Sequence, residues 1–292
     1  MATHAEREIT SQPETWMRAI TMAAEVSLSL PQQGERVAFV GCGTSWFMSM
    51  AAAARREELG LGESDAFTAS EFPLQRKYDR VIAISRSGTT TEVLELLNAL
   101  KGTKTTAITA IPESPAALEA SDAIILDFAD EESVLQTRYA TTALALLRTH
   151  FGETIGDCVD QCEAILHIEI PNPLLAVDQI TFLGQGWTVG IAQEAALKTR
   201  ESSQFWAEAY PAMDYRHGPI SIAQGGRAVW FFGAPPAGLA EEVESRGAFT
   251  EVRDVDPLAH LVLAQRVAVT IATMRGLDPD NPRGLTRSVI LP

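Results

Sequence analysis

The sequence predicts an α/β protein made of two consecutive three-layer α/β/α units with parallel sheets, the second unit shortened. Three observations predict it. Short apolar runs of strand length alternate with helix-length stretches, the pattern of a parallel sheet covered on both faces. A strand, a G-x-G turn and a helix occur twice, at Val37–Gly43 and Ile180–Gly186, which reads as an internal duplication. The second copy is shorter between Phe232 and Val267.

The elements follow in order. Ser11-Gln12-Pro13-Glu14 has the form of a capping box with an early proline, and predicts a helix to about Leu30, stopped by Pro31 and Gly34. Arg36–Val40 is a buried strand ending in Gly41-Cys42-Gly43-Thr44-Ser45, and an alanine-rich helix runs on to Leu59. Strands are expected at Ala66–Ala69, Val81–Ile84, Thr105–Thr109 and Ala123–Leu126. The third of these five strands runs into Ser85-Arg86-Ser87-Gly88-Thr89-Thr90-Thr91-Glu92 and a helix through Leu100. A long helix is expected over Glu132–His150, and a helical connection over Gly152–His167. The pattern then restarts with a strand at Gln179–Leu183, Gly184-Gln185-Gly186 and a helix. Ala228–Phe232 and Phe249–Val252 are strands around a helix at Ala237–Arg246, and Leu258–Arg275 closes the chain before a polar tail. The expected limits are an N-terminal helical segment over 1–34, a first unit over 35–152, a linker over 153–177, and a second unit with tail over 178–292.

Composition narrows the function. Of 292 residues, 46% are apolar, enough for packed cores and too many for a disordered chain. A formal charge of -15 disfavours a nucleic-acid surface, and means that any anionic ligand must be held by local donors. Cys42, Cys158 and Cys162 form no CxxC, and the last two read as buried helix thiols. No apolar leader and no uninterrupted membrane span are evident, so a cytoplasmic protein with no membrane partner is expected.

Two stretches carry chemistry. Residues 85–90 lie between a strand and a helix start. Their hydroxyls and the free helix N–H groups suit a phosphate, and Gly88 lets the backbone approach. The plain alternative is a Ser/Thr-rich cap without a ligand. The turn at Gly43, Thr44 and Ser45 has the same character. A dinucleotide fingerprint is disfavoured there, because Trp46 stands where a third glycine is needed. No Walker lysine, H-E-x-x-H or G-x-S-x-G is present, so no metal, no cofactor and no hydrolase triad is expected.

The second stretch is Glu194–Pro219. Glu194, Lys198 and Glu201 share one helix face, and a polar cluster of Glu208, Tyr210, Asp214, Tyr215, Arg216 and His217 follows. An ordinary surface helix with a Glu–Lys pair is the plain reading. Together with two phosphate cradles, the cluster suggests proton transfer beside the carbonyl of a small phosphorylated substrate, as in aldose–ketose isomerisation.

These residues resemble a known family. GCGTS at 41–45, ASEF at 69–72, SRSGTTTE at 85–92 and ESVLQTR at 132–138 are similar to the first sugar isomerase (SIS) domain of double-SIS proteins. LGQG at 183–186, EAALKTRES at 194–202, AEAYPAMDYRHGPI at 207–220 and NPRGLTRSV at 281–289 resemble the second. The architecture resembles the isomerase half of glutamine–fructose-6-phosphate aminotransferase. The SRSG loop and the EREITSQPETW start lean toward tagatose-6-phosphate ketose/aldose isomerases and amino-sugar-phosphate deaminases.

The resemblance implies flavodoxin-like SIS units and a set of roles. Gly43, Thr44, Ser45, Ser85, Ser87 and Thr90 would surround the sugar phosphate, with Arg86 an added charged donor. Val134 would line the sugar, and Thr286 and Arg287 would reach it from the tail. Glu201 would carry the proton between C1 and C2, Lys198 would stabilise oxyanion charge, and His217 would assist ring opening from a neighbouring subunit. A homodimer with shared active sites is implied, with a phosphorylated sugar or amino sugar as substrate. No N-terminal nucleophilic cysteine follows Met1, so glutamine-dependent synthesis is not expected. Arg287 stands where relatives that form an imine use lysine, and a guanidinium cannot serve as that nucleophile. Isomerisation or deamination is the leading expectation. A sugar-phosphate-binding regulator and a fructosamine-6-phosphate deglycase are the alternatives.

Overall fold

The computed structural model describes residues 2–291. They form two compact units. One comprises Ser11–Glu132, Gln136–Gly156 and the tail from Thr286 on. The other comprises residues up to Thr10, Ser133–Leu135 and Asp157–Leu285. The division departs from chain order at both ends. The first helix, α1 (His4–Thr10), joins the C-terminal unit because Asp280 caps it: its carboxylate accepts from the His4 and Ala5 amides at 2.9 and 2.7 Å. The tail joins the N-terminal unit through contacts described below.

The N-terminal unit begins with α2 (Gln12–Met22). The helix expected to reach Leu30 ends here, and only a short 3-10 turn at Ser27–Ser29 follows. Val26, Ser27 and Ser29 are weak helix formers, which accounts for the early stop. Then come β1 (Val37–Gly41), α3 (Thr44–Glu58), β2 (Ser64–Thr68), β3 (Arg80–Ile84), α4 (Thr91–Ala99), β4 (Lys104–Thr109), α5 (Pro115–Glu119), β5 (Asp122–Ile125) and α6 (Arg138–His150). All five strands are parallel, in the order β2-β1-β3-β4-β5. β1 and β3 are buried at every position, as the two-sided covering of such a sheet requires. Val40, Val81, Ala83, Leu96 and Leu97 belong to the core between sheet and helices. α2 is fastened to α6 by buried polar contacts: the Trp16 indole N–H donates to Thr141 Oγ1 at 3.0 Å, and the Thr142 hydroxyl to Thr15 at 2.8 Å.

One expected helix is shorter than the sequence indicated. Glu132–His150 is helical only from Arg138. The Glu131 carboxylate accepts from the Thr137 amide, the Thr137 hydroxyl and the Arg138 amide. Those first-turn donors are satisfied from upstream, so the helix starts there.

The C-terminal unit continues with α7 (Gly156–His167), α8 (Asn172–Ala176), β6 (Gln179–Gly184), α9 (Thr188–Ser203), β7 (Trp206–Pro211), β8 (Arg227–Phe232), α10 (Leu239–Ser245), β9 (Phe249–Glu251) and α11 (Pro257–Met274). Its four strands are parallel, in the order β7-β6-β8-β9. That order repeats the first four positions of the other sheet, with one strand fewer. β7 was read in the sequence as part of a polar cluster. Trp206, Glu208 and Tyr210 alternate with alanines along it, and its place at the sheet edge leaves those polar residues accessible. By length and composition α11 could cross a membrane, but most of it is buried inside the unit, packed with α9. Cys158 and Cys162 are buried on α7, and burial pushes the Cys162 thiol up to about 12.

Candidate active site

In the N-terminal unit the chain leaves β1 toward β2 on one side, and β3 lies on the other. This is the point where strand order reverses. In open parallel sheets, crevices that take ligands open there, outside the carboxyl ends of the strands. The two loops singled out in the sequence, 41–45 and 85–90, leave from these two strand ends.

The first turn is shaped by close approach. A Cβ on Gly41 would lie 2.6 Å from the Ser45 carbonyl carbon, so only glycine lets α3 start so near the strand. Gly43 then takes φ +56 at the helix entry. Thr44 and Ser45 are buried in the first turn of α3. The C-terminal unit repeats the device: a Cβ on Gly184 would lie 2.2 Å from the Thr188 carbonyl oxygen.

The second loop is more closely specified. The Ser85 amide donates to Ile108 at 3.0 Å and the Ala110 amide to the Arg86 carbonyl at 3.0 Å, so the loop stays tied to β4. Gly88 has φ +62, and a Cβ there would lie 2.1 Å from Ser114 Oγ. Ser85, Arg86 and Ser87 are buried; Thr89 and Thr90 are half-buried. Ser85 Oγ and Thr90 Oγ1 stand 3.5 Å apart, and Thr89 Oγ1 lies 3.0 Å from Ser87 Oγ. Thr90 precedes the first turn of α4, whose N–H groups and dipole favour an anion. The site can therefore hold a phosphate by hydroxyls and amides.

The arginines have other partners. The Arg86 guanidinium meets the Glu131 carboxylate at 3.4 Å, with both side chains buried, rather than standing free as an added phosphate donor. Arg287 is ion-paired with Asp130, and its guanidinium also donates to the Glu131 carbonyl. Thr286 donates within the tail to the Ser288 carbonyl at 2.8 Å. Ser87 Oγ and Thr89 Oγ1 reach the Ser288 hydroxyl at 3.1 and 2.9 Å. Sequence reasoning included Thr89 in the loop but missed Asp130, Glu131, Ser114 and Ser288. Only the D-E-E run and the serine beside Arg287 offered a signal for any of them.

The acid–base candidates lie in the C-terminal unit on α9, the helix after β6. Lys198 is ion-paired with Glu201, and its ammonium lies 3.7 Å from the Glu194 carboxylate. Glu194 and Lys198 are almost completely buried, whereas the Glu201 side chain keeps 19% exposure. Of the three, Glu201 therefore has the carboxylate open to a ligand. His217 is exposed at the end of a short 3-10 turn, Asp214–His217. Its neighbour Arg216 turns away to Glu242 at 3.1 Å, and Tyr215 is core, its hydroxyl pushed up to about 12 by burial. The expected polar cluster is thus divided between core and surface. Val134 is half-buried, and its amide donates to the Asp280 carbonyl at 2.9 Å. Among the described residues, no group of three or more His, Cys, Asp or Glu side chains is placed to hold a metal.

Comparisons with known proteins show what the chain is similar to. The glutamine–fructose-6-phosphate aminotransferase of Sulfurisphaera tokodaii is 28% identical over 88% of this chain and 50% of its own length. That of Gloeobacter violaceus is 30% identical over 87% of this chain and 52% of its own length. The chain spans about half the length of the curated relatives it matches. Among solved structures, a glucosamine-6-phosphate deaminase from Thermotoga maritima matches with a TM-score of 0.82 at 27% identity, covering 99% of this chain and 100% of that one. The tagatose-6-phosphate ketose/aldose isomerase of Escherichia coli has a TM-score of 0.80 over 99% of this chain and 96% of its own, and at 20% identity it is a likeness of fold. The SIS domain model matches residues 29–150, the segment holding both switch-point loops. Over that segment the chain is similar to the SIS domain family.

Proposed function

We propose that the chain acts on a phosphorylated ketose or aldose, or on a 2-amino sugar phosphate, by proton transfer between C1 and C2. The observation that carries this reading is the loop at 85–90. It leaves the switch point with hydroxyls, a glycine at φ +62 whose Cβ would crowd Ser114, and a helix N-terminus directly behind it. That is a phosphate cradle without a nucleotide fingerprint. The full-length likeness to a glucosamine-6-phosphate deaminase supports an amino sugar as the substrate class.

Ser85, Ser87 and Thr90, with Gly43, Thr44 and Ser45, hold the phosphate. Glu201 moves the proton, and Lys198, ion-paired beside it, offsets negative charge as the enediol or enolamine forms. His217, exposed on its turn, serves ring opening, and does so across a homodimer. For an amino sugar the same proton transfer leads to the imine, which water hydrolyses with release of ammonia.

The test is turnover of hexosamine 6-phosphates, together with deuterium wash-in at C2 followed by NMR. The wild-type chain should exchange the C2 proton. Glu201→Gln should lose roughly 10²–10⁴-fold while remaining folded, the span of general acid–base contributions. Binding of the sugar phosphate with no exchange at C2 would instead identify a regulator. Exchange undiminished in Glu201→Gln would remove that residue from its role.

A further inference from the structure

The C-terminal tail takes the donors that a phosphate would need. Ser87 Oγ and Thr89 Oγ1 both contact the Ser288 hydroxyl oxygen. The amide of Thr91, first residue of α4, donates to the Val289 carbonyl at 3.2 Å. The Leu291 amide returns a bond to Thr91 Oγ1 at 2.9 Å, and the Arg86 guanidinium reaches the Arg287 carbonyl at 3.3 Å. Among the described residues one ion pair fastens this strap: Arg287 with the Asp130 carboxylate, the same guanidinium also donating to the Glu131 carbonyl.

Resting on the phosphate role of the 85–90 loop, we propose that residues 287–291 are a displaceable plug of the phosphate subsite. Asp130 is the positioning residue that sets how firmly the plug is held. The chemistry favours exchange. The tail offers neutral hydroxyl and carbonyl oxygens to Ser87, Thr89 and Thr91. A phosphate offers charged oxygens to the same donors at a helix N-terminus, and charge-assisted bonds are about twice as strong. Among the described residues, the Ser85 and Thr90 hydroxyls contact each other at 3.5 Å rather than the tail, so an arriving phosphate meets two hydroxyls that the strap does not hold. Apparent affinity then scales with the fraction of molecules whose strap is open.

Asp130 and Arg287 are each about a third exposed, so their ion pair is of the modest kind. Removing it should open the strap by a small factor. Calorimetric titration with inorganic phosphate should give about five-fold tighter binding to Asp130→Asn than to the wild-type chain. Hydrogen exchange of the C-terminal peptide should rise when phosphate is added to the wild-type chain. A merely structural Asp130 would not tighten binding. Equal or weaker binding by Asp130→Asn, or a tail that becomes more protected with phosphate, overturns the plug and leaves the phosphate reading standing. Ser87→Ala anchors the measurement to this loop. If neither protein binds phosphate, or if Ser87→Ala binds it like the wild type, the phosphate reading fails and the plug with it.

Discussion

Arg86 and Glu131 are both buried, and their side chains meet at 3.4 Å beneath the 85–90 loop. The other oxygen of the same carboxylate accepts from the Thr137 amide, the Thr137 hydroxyl and the Arg138 amide at the start of α6. A single carboxylate thus ties the phosphate-loop candidate to a helix cap. Removing it leaves a buried guanidinium without its counter-charge and a helix start without its acceptor. Glu131→Ala should cost about 3–5 kcal/mol in urea unfolding, the span for breaking a buried pair. Glu131→Gln keeps an acceptor for α6 and should fall between that variant and the wild type.

Gly88 supplies a second, purely steric prediction. Alanine there must adopt φ +62 and place its methyl 2.1 Å from Ser114 Oγ. Gly88→Ala should lose about 1–3 kcal/mol and lower the thermal midpoint. Adding Ser114→Gly removes the atoms it meets first, and should restore part of the loss. The remainder is the cost of positive φ for a residue with a Cβ.

The parallel sheets, both G-x-G turns and the build of the 85–90 loop were legible because each depends on local chemistry. Apolar runs made β1, β3, β6 and β8, and a glycine at positive φ or at close approach marked each turn. What could not be read was decided by partners far away in sequence. α6 starts where Glu131 reaches forward, α1 joins a unit because Asp280 caps it, and Arg287 goes to Asp130. β7 escaped for another reason: as an edge strand it keeps polar residues on a half-open face, so its alternation resembled a surface cluster.

Acid sensitivity should come in two windows. Burial holds the His150 and His260 imidazoles below the usual histidine range, opposed in part by the Pro31 carbonyl and by Glu251 respectively. A depressed histidine favours the neutral folded form. Its stabilisation is therefore present above the unfolded value of about 6.5 and is lost as pH falls below it. Burial pushes Glu153 up, but hydrogen bonds from Arg55 and Arg148 outweigh it and leave the carboxyl low; Glu35 behaves likewise with Arg80. Their contribution is lost only as pH falls below about 4.5. Urea unfolding at pH 7.5 and 5.5 should show stability falling by up to roughly 1.4 kcal/mol per pH unit for each histidine. His150→Gln, which keeps a donor for Pro31, should flatten that slope without altering the lower window.

The last prediction concerns the cation on α9. Lys198 is almost fully buried, ion-paired with Glu201 and 3.7 Å from Glu194, whose carboxylate is buried as completely. Lys198→Met keeps the length of the side chain and removes the charge, leaving Glu194 in the interior beside a second carboxylate. The loss should be about 3–5 kcal/mol, as for other broken buried pairs. Glu194→Gln alone also unbalances the helix face, but less, because Lys198 retains Glu201. If the two residues stabilise one another, the double variant Glu194→Gln/Lys198→Met should be more stable than the two single losses added together, by about 0.5–3 kcal/mol. Strict additivity in that cycle would mean that Glu194 and Lys198 are merely adjacent. The Lys198–Glu201 ion pair would then be the contact through which Lys198 bears on the partly exposed carboxylate of this helix.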